Sequence, residues 1–206
     1  MLGWEFPPFI NGGLGVACEG LANALATRSK LNLFLPKIRN STKEKKVQII
    51  PINHLTHSAD FEPYLDANPS EGLYGRGLDE RVEVYSREAI KASRETHFDV
   101  IHAHDWLTAI AALKIRKQSG KPLIFHVHSL SYDRAGPDEQ GRIYNIEKQA
   151  LQKADRVIAV SHYTKKICID SYNADPEKIS VVHNGISPIA AYRRPKPFLD
   201  HLVVFL

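Results

Sequence analysis

Cysteine is scarce in this chain. Only Cys18 and Cys168 occur in 206 residues. Both fall on segments whose apolar spacing predicts helices, and neither belongs to a disulfide framework or a metal-binding pattern. A reducing compartment is the simple reading. Excess charge is also lacking: 27 Lys and Arg against 23 Asp and Glu leave a formal +4. The basic residues are scattered, apart from Lys43, Lys45 and Lys46 and the pair Arg193–Arg194. Those two groups read as a solvated turn and a linker, so no nucleic-acid partner is expected. No apolar run is long enough to span a bilayer, and no charged start leads into an apolar signal segment. No membrane partner is expected, and the cytoplasm is the expected location. A Ser/His/Asp arrangement with a nucleophile elbow is missing too.

What is present has a clear rhythm. Met1–Trp4 is a short apolar run, followed by Glu5-Phe6-Pro7-Pro8-Phe9-Ile10-Asn11-Gly12-Gly13-Leu14-Gly15. Leu14, Cys18, Leu21 and Leu25 then fall on one helical stripe. Strands are expected at residues 31–35, 47–52, 99–103, 122–127, 156–160 and 179–183. Helices are expected around Leu78–Ala92, Trp106–Gln118, Ile143–Gln152 and His162–Tyr172, the last capped by Ser161. Residues 53–77 carry turn formers without a period, which in a compact domain suggests a binding segment. Apolar strands alternating with helices describe a parallel sheet covered on both faces. The fold class is α/β, a Rossmann-like doubly wound parallel sheet. Residues 189–206 read differently: a proline-rich basic spacer leads into Leu202-Val203-Val204-Phe205-Leu206, the expected opening strand of a second domain.

In such a sheet ligands sit beyond the carboxyl ends of the strands. Five polar groups fall there: the glycine loop, His102-Ala103-His104-Asp105-Trp106, His126-Val127-His128-Ser129, Ser161-His162 and His183-Asn184-Gly185. Gly12 and Gly13 open a helix whose first amides have no internal acceptor, a natural seat for phosphate. Two other uses compete for this rim. The two His-x-His pairs with Asp105 have the ligand types of a metal hydrolase, but no further carboxylate or bridging lysine stands in a clear place. A nicotinamide site fits poorly, since Gly13-x-Gly15-x-x-Cys18 lacks its third small residue and residues 33–37 hold no acid for a ribose. Two glutamate pairs eight apart, Glu80/Glu88 and Glu139/Glu147, are expected on exposed helix faces.

Taken in order, Trp4-Glu5-Phe6-Pro7-Pro8 with Gly12-Gly13-Leu14-Gly15, His102-Ala103-His104-Asp105-Trp106, His126-Val127-His128-Ser129 with Asp133-Arg134, Ala154 to Ser161, and His183-Asn184-Gly185-Ile186 resemble one group. It is the N-terminal domain of retaining GT-B glycosyltransferases of the glycogen and starch synthase type and of the related family-four transferases. The resemblance implies that residues 1–188 are the acceptor-side half of a GT-B fold, and that residues 189–206 begin a nucleotide-binding domain absent from this chain. It implies transfer of glucosyl units from ADP- or UDP-glucose to an α-glucan with retention, without metal or other cofactor. By the same resemblance His128 and Asp105 are the catalytic residues, while Gly12, Gly13 and Asn184 bind substrate. Where starch-type synthases carry a lysine two positions before the glycine pair, this chain has Ile10, which brings it nearer to the family-four enzymes. The isolated piece is expected to be inactive, and a non-catalytic glucan-binding module is the alternative.

Overall fold

Leu2 is the seam of the sheet. In the computed structural model, which describes residues 1–8, 10, 12–36, 47–52, 77–138 and 140–185, it bridges in parallel to Phe34 on one side and Ala103 on the other. Its N–H donates to the His102 carbonyl at 2.7 Å, and Gly3 N–H donates to the Phe34 carbonyl at 3.0 Å. β1 (Leu31–Leu35) lies to one side and pairs in parallel with β2 (Val47–Pro51). On the other side β3 (Ile101–His104), β4 (Leu123–Val127), β5 (Arg156–Ala159) and β6 (Ile179–Val181) follow in that order, all parallel. The chain therefore builds outward in one direction from Leu2 and then in the other. That reversal is the topological switch point of a doubly wound sheet, where ligands bind.

Both faces are covered, and β1 shows why. Successive side chains of a strand point to opposite faces. Leu31, Leu33 and Leu35 pack with Cys18 and Ala22 of α1 (Gly13–Leu25), while Phe34 joins the core on the other face. That second core is roofed by α2 (Leu78–Arg94), α3 (Asp105–Ser119) and α5 (Arg142–Lys153). α2 buries Leu78, Val82, Tyr85 and Ala89 along one stripe. Asp79 and Glu80 stand in its first turn and Lys91 and Arg94 in its last, each favoured by the helix dipole there. α3 stops at Gly120, whose φ of 69° suits a residue without a Cβ. A short α4 (Ser131–Ala135) follows β4, and α6 (His162–Asp170) precedes a 3-10 turn at Pro176–Lys178.

Most expected elements stand where the spacing puts them. Ser161 caps α6, its Oγ accepting from Thr164 N–H at 2.9 Å. Two differences are physical. β3 begins at Ile101 rather than Asp99, because exposed Asp99 and Val100 precede the ladder. The buried stripe of α1 runs through Gly15, Cys18 and Ala22, while Leu14, Leu21 and Leu25 are only half-buried. Small residues let the helix lie close to its neighbours: a Cβ on Gly15 would come within 2.0 Å of Ile10 Cγ2 and 3.2 Å of Glu5 Cβ. The expected binding segment at 53–77, apart from Gly77 at the start of α2, the expected strand at 202–206 and Glu139 lie outside the described residues.

Candidate active site

β3, β4 and the residue that follows β4 carry four histidines on one face. Ile101, Ala103, Leu123, Phe125 and Val127 point into the α2/α3/α5 core, so alternation turns His102, His104, His126 and His128 the other way, toward α1. The register sets His104 beside His126. The rings stack, with centroids 4.4 Å apart for His126 and His128 and 4.6 Å for His102 and His104. His104 Nδ1 and His128 Nε2 share a proton at 2.9 Å, and His102 Nε2 and His126 Nδ1 are 3.3 Å apart. Burial is the main force on their charge, since an imidazolium there would lose its water. It holds His102 and His126 down to about 3 and His128 to about 4, and pushes His104 well below the ordinary histidine range. All four are neutral imidazoles at pH 7.

The loop that carries His128 is clamped from both sides. From α3, the Asp105 carboxylate accepts at Oδ1 from His128 N–H at 2.7 Å and from Ser129 N–H at 3.4 Å. Asp105 has a φ of 55°, a left-handed conformation that aspartate tolerates better than most residues but at some cost. Its burial lifts its carboxyl to about 7, opposed by the two amides and by Arg134. From α5, the Glu147 carboxylate accepts from Ser131 N–H at 3.0 Å, Ser131 Oγ at 2.8 Å, Tyr172 Oη at 2.7 Å and Arg134 at 2.9 Å. Arg134 also donates to Ser129 Oγ at 2.6 Å. Glu147 is 1 % exposed, so the expectation of a solvated glutamate is overturned. Three residues, Ser131, Arg134 and Tyr172, supply four donor groups to it, and these replace the water it loses. Glu80 does lie at the surface.

The sequence-expected site residues come together in part. His128 and Asn184 line one cavity of about 300 Å³, with His126, His183 and the α1 residues Ala17 and Leu21. Gly13 begins that same helix, one turn or about 6 Å before Ala17. Among the described residues a Cβ on Gly12 or Gly13 would meet nothing within 4 Å. Packing therefore does not demand glycine at either position, unlike Gly15, and the bare backbone is left open to a ligand. Asp105 sits behind this wall, 6 % exposed, and acts on the His128 loop. Sequence reasoning missed Cys18 as part of the site: among the described residues it forms one cluster of potential metal-ligating atoms with His104 and His128, and His102, His104 and His126 form another. No helix among the described residues is long and apolar enough to cross a membrane.

Comparison with known proteins bears on the family and the fold. Residues 11–188 match the family described as Glycosyltransferase Family 4. An uncharacterized glycosyltransferase of Methanocaldococcus jannaschii is 26 % identical over 197 residues, which are 91 % of this chain and 46 % of that protein. A D-inositol 3-phosphate glycosyltransferase of a Nocardioides species is 29 % identical, over 85 % of this chain and 39 % of the relative. Among solved structures, the sucrose-phosphate synthase of Thermosynechococcus elongatus superposes with a TM-score of 0.61 at 20 % identity, over 88 % of this chain and 44 % of that one. Anabaena HepE in complex with UDP and glucose gives 0.58 at 14 % identity, over 90 % and 44 %. The chain thus spans less than half the length of these four proteins, and its parallel α/β sheet matches GT-B glycosyltransferase structures. On the family match over most of its length, the chain belongs to glycosyltransferase family 4.

Proposed function

We propose that this chain is the acceptor-side half of a retaining, nucleotide-sugar-dependent glycosyltransferase acting in the cytoplasm. The observation that carries the reading is the shared cavity. Later turns of α1 line it together with the neutral imidazole of His128, and the same helix opens on two unhindered glycines that lie outside the lining. In this reading Gly12 and Gly13 lie against the donor diphosphate and sugar, and His128 hydrogen-bonds the sugar. Asn184 reaches the same space from the end of β6. Asp105 holds the His128 backbone in place from behind. With Nε2 of His128 paired to His104, its Nδ1 is the nitrogen left to give or take one hydrogen bond with a sugar hydroxyl.

The reaction we infer is transfer of glucose from ADP- or UDP-glucose to an α-glucan. The bond from the anomeric carbon to the diphosphate breaks, the bond to the acceptor oxygen forms on the same face, and the leaving diphosphate takes the acceptor proton. A second acceptor class, a small phosphorylated sugar or cyclitol, is favoured by the names of the inositol 3-phosphate and sucrose-phosphate relatives. Residues 189–206 would lead into a second domain that holds the nucleotide. Without it the electrostatic stabilisation of the leaving diphosphate is incomplete, so these 206 residues alone should turn over no donor.

Titration of the isotopically labelled chain with UDP-glucose, ADP-glucose and maltooligosaccharides tests the reading. Shifts at Gly12, Gly13 and His128 with a nucleotide-sugar support it. Shifts with oligosaccharide only, and none with either donor at millimolar concentration, would favour a glucan-binding module instead.

A further inference from the structure

Cys18, His104 and His128 come from three elements, α1, β3 and the end of β4, yet each presents one donor atom to a common space. The three atoms lie within 4.8 Å of one another. We propose that this cluster is a binding site for a soft divalent cation of the zinc type, held by the Cys18 thiolate and one nitrogen each of His104 and His128.

The donor set is right for such an ion. One thiolate with two imidazoles selects zinc-like cations over magnesium or calcium, and three protein ligands leave a fourth position open. The scale is right as well. Around tetrahedral zinc, bonds of about 2.0–2.3 Å set neighbouring donor atoms roughly 3.3–3.6 Å apart. The rings of His104 and His128 already approach to 2.9 Å, within the span of one ion, and side-chain rotation closes the rest.

The surroundings point the same way. A sheet face beneath a helix is ordinarily filled by Val, Ile or Leu, whereas here it carries four stacked imidazoles. His104 Nε2 is buried with no hydrogen-bond partner among the described residues, a costly arrangement that coordination through that nitrogen would explain. Two buried carboxylates, Glu5 and Asp105, lie within electrostatic reach of the Cys18 thiol and make the pocket favourable to positive charge. His128 opens onto the 300 Å³ cavity, which supplies both an entry path and room for the fourth ligand. On binding, the Cys18 proton leaves to solvent and the imidazoles coordinate as neutral rings, so the ion brings a net charge of one into the site. An ion here would withdraw His128 from a donor sugar. That consequence rests on the functional reading above; the site does not.

Cobalt(II) and zinc(II) titrations of the metal-stripped chain test the proposal without any assay of activity. One equivalent of cobalt should bind, with a thiolate-to-cobalt charge-transfer absorption and tetrahedral visible bands, and one equivalent of zinc should bleach both. Cys18→Ser should remove the charge-transfer absorption and weaken zinc at least about tenfold, as should His128→Asn for affinity. His102→Asn, which touches only the other cluster, and Cys168→Ser should change neither. If Cys18→Ser fails to fold by circular dichroism, Cys18→Ala supplies the same comparison without a buried hydroxyl. No saturable zinc binding, cobalt binding without the thiolate band, or loss of binding with His102→Asn but not with Cys18→Ser would each overturn it.

Discussion

The Asp105 carboxylate holds the backbone N–H of His128 at 2.7 Å, tying the first turn of α3 to the loop after β4. Asparagine keeps an acceptor at that atom and tolerates the left-handed φ, whereas alanine does neither. Asp105→Ala should therefore cost about 2–4 kcal/mol, from two orphaned amides and a strained backbone. Asp105→Asn should cost under about 1 kcal/mol. Urea unfolding of the two variants checks the ranking, and equal losses would refute the clamp.

Glu147 makes the same point from the other side of the loop. Its carboxylate is enclosed by Ser131, Tyr172 and Arg134, and Glu147→Leu leaves the Arg134 charge poorly compensated. A loss of about 3 kcal/mol is expected, which for a domain of this size lowers Tm by roughly 6–12 °C. Surface Glu80→Leu should stay within about 0.5 kcal/mol. Paired thermal melts settle it.

This contrast shows what the sequence could and could not reveal. The strand series, the Ser161 cap and the parity that puts His102 with His104 and His126 with His128 are local properties, readable from spacing. The burial of Glu147 is not local. Its partners lie 13 to 25 positions away in sequence, and a carboxylate on an amphipathic helix looks solvated until they are known. The neighbour relation of His104 and His126 depends on strand register, and that of Cys18 with His104 depends on how α1 crosses the sheet. Neither leaves a mark in residue spacing.

The buried imidazoles should make the metal-free chain sensitive to acid. Their folded pKa values lie below the unfolded value, at about 3 for His102 and His126 and about 4 for His128. The stability they contribute is present above about pH 6.5 and is lost as pH falls toward those values, because only the unfolded chain takes up the protons. Each adds up to about 1.4 kcal/mol of lost stability per pH unit in that window. Asp105, raised to about 7, and Glu147, raised by its burial, act in the opposite sense but are two groups against four. Urea midpoints measured in chelator at pH 7, 6, 5 and 4 should fall steadily. A flat profile would mean that the histidines titrate freely.

Gly13 and Gly15 should separate binding from packing. Gly15→Ala forces a Cβ to within 2.0 Å of Ile10 Cγ2 and should cost about 1–3 kcal/mol. Gly13→Ala meets no described atom within 4 Å and should leave stability within about 0.5 kcal/mol, yet it places a methyl group where the donor is proposed to lie. Denaturation curves read the first effect and nucleotide-sugar titration the second. A destabilised Gly13→Ala would show that this glycine serves packing after all.

The central claim is that these 206 residues form one wall of a nucleotide-sugar cleft in which His128 touches the donor. It is tested most directly by transfer of labelled glucose from UDP- or ADP-glucose, measured for the chain alone and joined to the nucleotide-binding half of a family-4 relative. Transfer should appear only in the joined protein and should fall by about 10²–10³ in His128→Ala, the scale of losing one polar contact that stabilises a transition state. Full turnover by the chain alone, or transfer unchanged in His128→Ala, would contradict it.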